Sequence, residues 1–144
     1  MQQPMKQTQE RITVSTRGAG LYDVTTTVAA VVARAAIGTG LATVYCRHTS
    51  CSLIINENAD PDVQHDLNAF LRRLVPDGDP AFIHTLEGPD DMAAHIKTAL
   101  TATSLAIPVS GGRMVLGTWQ GIYLFEHRAA AHRRELVVHV MGEA

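Results

Sequence analysis

Residues 104–141, SLAIPVSGGRMVLGTWQGIYLFEHRAAAHRRELVVHVM, decide the fold. Three runs, 104–109, 122–128 and 135–141, are rich in apolar and β-branched side chains and bounded by glycine or small polar residues, which marks them as strands. Residues 114–118 read as another. The links at 110–112 and 129–133 are too short to hold a crossover helix, which implies antiparallel pairing of these neighbours.

Working outward, the pattern upstream turns helical. Met92, Ile96, Ala99 and Leu100 share one face of a helix from Asp90 or Asp91 to about Thr101. Before it, 77–90 is a polar loop of the length that often carries function. A better-marked helix precedes the loop. Asp60 stands at its N-cap, Pro61 takes the first helical position, and Val63, Leu67, Phe70, Leu71 and Leu74 form one face until Pro76 and Gly78 stop it. A helix over 24–36, with Val24, Val28, Val31, Val32 and Ala35 inward, lies between a strand at 11–16 and a long apolar run at 41–55. That run is one bulged strand, or two strands with a kink near Thr49. Residues 1–9 read as a flexible arm and 10–144 as a single domain. The expectation is an α+β fold: a mostly antiparallel sheet curled into a sandwich or barrel, with about three helices packed on it.

Composition narrows the class. With 144 residues the chain can bury a core, and a net charge of -2 offers no basic footprint for nucleic acid. No apolar run is long enough to span a membrane, and the opening MQQPMKQTQE lacks the core of a signal peptide, so a cytoplasmic protein is expected. Cys46 and Cys51 lie five apart, on opposite faces of a regular strand, which argues against a disulfide between them.

Histidine is the most informative residue type. Four of the seven stand in polar company: His48, His84, His95 and His127. Imidazole is a good ligand for zinc and related metals, and Asp91 lies one helical turn before His95, within reach of its ring. Each histidine taken singly can equally be a hydrogen-bonded structural residue. Thr49, Ser50 and Ser52 supply hydroxyls and Arg47, Lys97 and Arg128 supply charge for a phosphate. No P-loop, dinucleotide fingerprint or nucleophile elbow is present. Trp119, the sole tryptophan, suits a core or a subunit interface.

Three blocks, RHTSCSLIINENADPDVQHDL, HTLEGPDDMAAHIKTAL and SLAIPVSGGRMVLGTWQGIYLFEHR, resemble the signature of the YjbQ-like family, also called the secondary thiamine-phosphate synthase family. Cys51, Ala93 and Phe125 stand where that family often has alanine, proline and cysteine, and none of these changes removes a candidate ligand. The resemblance implies a homotrimer and a site drawn from all three blocks. It gathers His48, Asn56, Glu57 and Asp60 with His84, Glu87, Asp90 and His95 and with Trp119, Glu126, His127 and Arg128. Of these, His48, Asn56, Glu57, Asp60 and Glu126 are expected to be catalytic, while Trp119 and Arg128 join Thr49, Ser50 and Lys97 of the phosphate reading around a small phosphorylated substrate. His84, His95 and His127 become the ligands of a divalent metal, zinc or magnesium. The reaction implied joins a pyrimidine diphosphate to a thiazole phosphate with release of pyrophosphate. The alternatives are a trimeric, non-enzymatic metal- or metabolite-binding protein, and a metal-dependent hydrolase.

Overall fold

Strand β8 (His132–Glu143) is the spine of the larger sheet in the computed structural model, which describes residues 4–144. On one side it pairs with β1 (Met5–Thr16) over twelve residues, and on the other with β3 (Thr39–Cys46). The sheet continues through β5 (Ser104–Ser110) to β6 (Arg113–Met114), giving the order β1-β8-β3-β5-β6. A second sheet has the order β2-β7-β4, with β2 (Gly20–Asp23), β7 (Gln120–Glu126) and β4 (Cys51–Glu57). Every named strand pair is antiparallel. The described residues form three helices, α1 (Thr25–Ala35), α2 (Pro61–Leu74) and α3 (Asp91–Leu100), so the fold is α+β with curled antiparallel sheets.

The core lies between the sheets. Val44, Ile107, Leu136 and Val138 from the larger sheet meet Leu53, Ile122 and Leu124 from the smaller one, and Val28, Val31 and Val32 of α1 pack into the same cluster. Strand β7 is buried on both faces from Gly121 onward. Alternation sends Ile122, Leu124 and Glu126 to the sandwich interior and Tyr123, Phe125 and His127 to the opposite face.

The chain departs from the sequence reading at several places. Strands β7 and β8, expected to pair across 129–133, lie in different sheets, because the link carries the chain from one layer to the other. Residues 5–9 of the expected arm are strand, paired with β8, and residues 1–3 lie outside the described residues. The segment with Gly18 and Gly20 continues into β2, too short for its alternation to register. Residues 115–118 are not strand: β6 ends at Met114, after a two-residue turn in which Gly111 and Gly112 both take positive φ. The run at 41–55 is two strands in different sheets, so the chain crosses between layers at 47–50. That crossing brings Cys46 and Cys51 together instead of to opposite faces, with their sulfurs 3.5 Å apart and unbonded. On α2 only Leu71 is buried, while Phe70 and Leu74 are more than half exposed. No helix among the described residues is long and apolar enough to cross a membrane.

Glu126 ties the two layers. Its carboxylate, fully buried, accepts hydrogen bonds from Arg134 Nε on β8 (2.7 Å) and Thr16 Oγ1 on β1 (2.6 Å), and Arg134 reaches on to Ser50 Oγ in the crossing (2.9 Å). Burial alone would raise the carboxyl pKa, but the bonds from Arg134 and Thr16 outweigh it and hold Glu126 below the usual range. Removing one partner strands the other charge in the core, which costs about 3–5 kcal/mol. Urea unfolding of Arg134→Met should therefore show a loss of that order, and Glu126→Gln combined with Arg134→Met a loss smaller than the two singles added.

Candidate functional site

The acidic start of α3 faces the loop before it. Asp91, buried, opens the helix, and its Oδ2 lies 3.0 Å from Nε2 of His95 one turn on and 2.7 Å from Nε2 of His84 in the loop. The three ligand atoms all fall within 4.8 Å of one another. Donors about 2.1 Å from a tetrahedral ion sit about 3.4 Å apart, so Asp91 and the imidazoles, now at hydrogen-bond separation, need draw apart by only a few tenths of an ångström to hold one cation.

The outer contacts sharpen the geometry. His95 Nδ1 lies 2.8 Å from the Thr49 carbonyl, which only accepts, so Nδ1 carries the proton. Nε2 then turns a lone pair toward the Asp91 carboxylate, an arrangement that holds only with a proton or a cation between them. Arg128 fixes the carboxylate from behind: Nη1 donates to Asp91 Oδ1 (2.8 Å), Nε to Asp90 Oδ2 (3.0 Å) and Nη2 to the Glu87 carbonyl (3.0 Å). Burial pushes the Asp91 carboxyl up, and the two imidazoles with Arg128 more than reverse it, so Asp91 is an anion across the working pH range.

The residues singled out in the sequence divide into separate places. His84 and His95 come together, with Asp91 in the position given to His127. His127 points into the layer beneath, where Nε2 bonds Ser52 Oγ (2.8 Å) and the ring packs against Phe125. Thr49 reaches the centre through its main chain, and Ser50 is bonded to Arg134. Arg128 spends its donors on acids and a carbonyl, while Lys97 is buried without any hydrogen bond or ion pair among the described residues. His48 Nε2 accepts from the Glu135 amide (2.7 Å).

The other expected catalytic residues stand at the far end of β4. There Asn56 accepts from the Glu57 amide, Glu57 from the amides of Ala59 and Asp60, and Asp60 from Asp62 as the cap of α2. Trp119 is beside them, its carbonyl accepting from Asn58, its ring exposed. A strand of seven residues separates this end from the imidazoles by about 20 Å. The four-residue spacing marks Asp91 as a partner for His95, and its place in the centre comes from the approach of His84 in the loop.

The profile of the family described as UPF0047 protein YjbQ-like matches residues 10–143. The chain belongs to the YjbQ-like family. Among its relatives, UPF0047 protein sll1880 of Synechocystis is 51% identical over 96% of this chain and 94% of its own. UPF0047 protein YjbQ of Escherichia coli O157:H7 is 41% identical over 94% of this chain and 98% of its own. The crystal structure of APE1520 from Aeropyrum pernix superposes with a TM-score of 0.86 at 33% identity, covering 94% of this chain and 99% of that one. SSO2532 from Sulfolobus solfataricus, a YbjQ-like protein of unknown function, gives 0.89 at 26% identity over 97% of this chain and 100% of that one.

Within the YjbQ-like chain, burial and the nearby Lys97 charge lower the His127 pKa to about 4. The ring is thus neutral in the folded protein while an unfolded histidine titrates near about 6.5. Between those two values the unfolded chain binds the extra proton, so stability should fall as pH drops through that window. Histidine ring NMR should show His127 titrating near 4, and its replacement by Gln should flatten the stability profile there.

Proposed function

We propose that the chain is a metal-assisted enzyme acting on a small phosphorylated substrate, with His84, Asp91 and His95 as the metal ligands. One observation carries the reading: His95 is held by a carbonyl on one nitrogen and aims the other at a buried carboxylate that a second imidazole also approaches. Two imidazoles and one carboxylate leave coordination positions open, as catalytic zinc sites do, and favour zinc or a related transition metal over magnesium. A bound ion supplies Lewis acidity toward a phosphate oxygen. The protein does the rest by position. Thr49 holds the His95 ring, Arg128 holds Asp91 against the imidazoles, and Lys97 contributes positive charge from below.

For the reaction we take the transfer that the family resemblance implies. A thiazole nitrogen forms a C–N bond to the pyrimidine methylene as the C–O bond to pyrophosphate breaks, and the bonding pair leaves with the pyrophosphate. Neutralising that departing charge and holding the nitrogen close are the protein's tasks. We further propose that the protein works as a homotrimer. Phe70, Leu74, Ile83, Leu86 and Trp119 are all more than half exposed, apolar surface that a neighbouring copy would bury. Only across such a contact can the Glu57–Asp60 turn and Trp119 approach a His84 centre.

Elemental analysis of purified protein should find about one transition-metal ion per chain. His95→Ala should lose it, together with pyrophosphate release in the coupled assay with both thiamine precursors. Arg128→Met should weaken metal retention by about 10–100-fold. Unchanged metal content and turnover in His95→Ala would sink the proposal. Pyrophosphate or phosphate release that needs no thiazole acceptor would convert it to a hydrolase. Native mass spectrometry should give three chains of 15.5 kDa, and Phe70→Glu should shift the protein toward monomer.

A further inference from the structure

A cavity of about 370 Å³ lies between the 17–19 turn, the last turn of α2 and α3, and shares no lining residue with the imidazole centre. Arg17, Arg72, Asp77, Asp90, Lys97 and His127 line it. Its volume lies at the lower end of the range for small-ligand sites, roomy enough for a phosphate or diphosphate group.

The charges in it are unequally engaged. Lys97 is only 6% exposed, and its ammonium has no hydrogen bond or ion pair among the described residues. Yet no fully shielded side-chain nitrogen or oxygen of the described residues lacks a partner, so Lys97 Nζ keeps its opening to the cavity. A buried ammonium that its nearby acids, Asp77 and Asp90, attract only from beyond bonding distance is costly unless something outside the fold completes it. The guanidinium groups of Arg17 and Arg72 are likewise unpaired among the described residues. Of the two carboxylates, Asp90 is already taken by Arg128 Nε and by the Ala129 amide (2.8 Å), which leaves Asp77 alone facing three cations.

We infer that this cavity seats the phosphate or diphosphate group of a small metabolite, with Lys97 as the buried anchor and Arg17 and Arg72 at the rim. Lysine meets phosphate as a point charge and arginine as a planar fork, and together they suit an oxyanion bearing two or more charges. Asp90 stands at the cavity wall, and Asp91, the next residue, bonds the two imidazoles, so an anion held here sits next to the His84 centre. Arg128 has its donors committed to both acids and takes no part in holding the anion. This inference rests on the phosphorylated-substrate half of the function proposed above and not on its metal.

Titration calorimetry with inorganic pyrophosphate and inorganic phosphate tests it on the full chain, as purified and again after dialysis against a chelator. Wild type should bind pyrophosphate in both states. Lys97→Met should weaken binding by about 10–100-fold, the weight of a charge-assisted contact. Arg72→Ala, at an exposed position that leaves the fold intact, should weaken it by about fivefold or more. Binding that survives chelator treatment separates failure here from failure of the metal site. Absence of pyrophosphate binding to wild type, or unaltered binding in both Lys97→Met and Arg72→Ala, would overturn the assignment even if the protein proved active.

Discussion

The Glu126–Arg134 pair is the constraint on which the rest of the molecule depends. It joins β7 of the small sheet to β8 of the large one inside the core, and it draws in Thr16 of β1 and Ser50 of the crossing segment. An ion pair in such a place is not favoured over apolar packing for stability alone. Its value here is directional. Glu126 Oε2 also accepts from the amides of His127 (3.1 Å) and Arg128 (3.3 Å), so the buried carboxylate sets the path of the chain as it leaves β7. That path delivers Arg128 to Asp90 and Asp91. Ser50, held by the same arginine, precedes the Cys51 start of β4 and follows Thr49, whose carbonyl fixes His95. One buried interaction therefore sets both sides of the imidazole centre.

Strand periodicity does the sorting. Glu126 and His127 are adjacent in sequence but point to opposite faces, one into the sandwich and the other toward α3. The register Cys51↔Glu126 and Ser52↔Phe125 repeats the division on β4: Cys51 lies in the core, and Ser52 joins His127 on the helix side. Three residues that the sequence presents as one Glu-His-Arg motif thus act in three environments. The carboxylate holds layers together, the imidazole lines a cavity, and the guanidinium braces a carboxylate pair.

This explains what could be read from the chain and what could not. Strands at 104–110, 120–126 and 132–143 announced themselves by composition and turn residues, and α2 by the Asp60-Pro61 cap, because those signals are local. Strand β2 has four residues, too few to show a period, and the start of β1 is polar because its side chains there are exposed, so nothing but pairing with β8 identifies it. At the site, His84, Asp91 and His95 stand within twelve residues, and helical spacing brings the last two together. Asn56, Glu57 and Asp60 carry polar side chains of the kind that bind substrates and also close turns, and in the single chain they close one. No one-dimensional pattern separates the two uses.

The contrast between Arg128 and Lys97 shows where charge is committed to the fold and where it is left for a ligand. Both are cations that the sequence offers equally to a phosphate. Arg128, partly buried, has its guanidinium nitrogens bonded to Asp90, Asp91 and the Glu87 carbonyl, and the acids beside it raise its pKa above the usual value. Lys97, more deeply buried, meets no acid at bonding distance, and burial lowers its pKa. A fold selected only for stability would exchange such a lysine for an apolar residue of similar length, because burying the ammonium costs several kcal/mol and returns only the unbonded attraction of Asp77 and Asp90. An interior ammonium turned toward an arginine-rimmed cavity makes physical sense when the missing half of the pair arrives from solution.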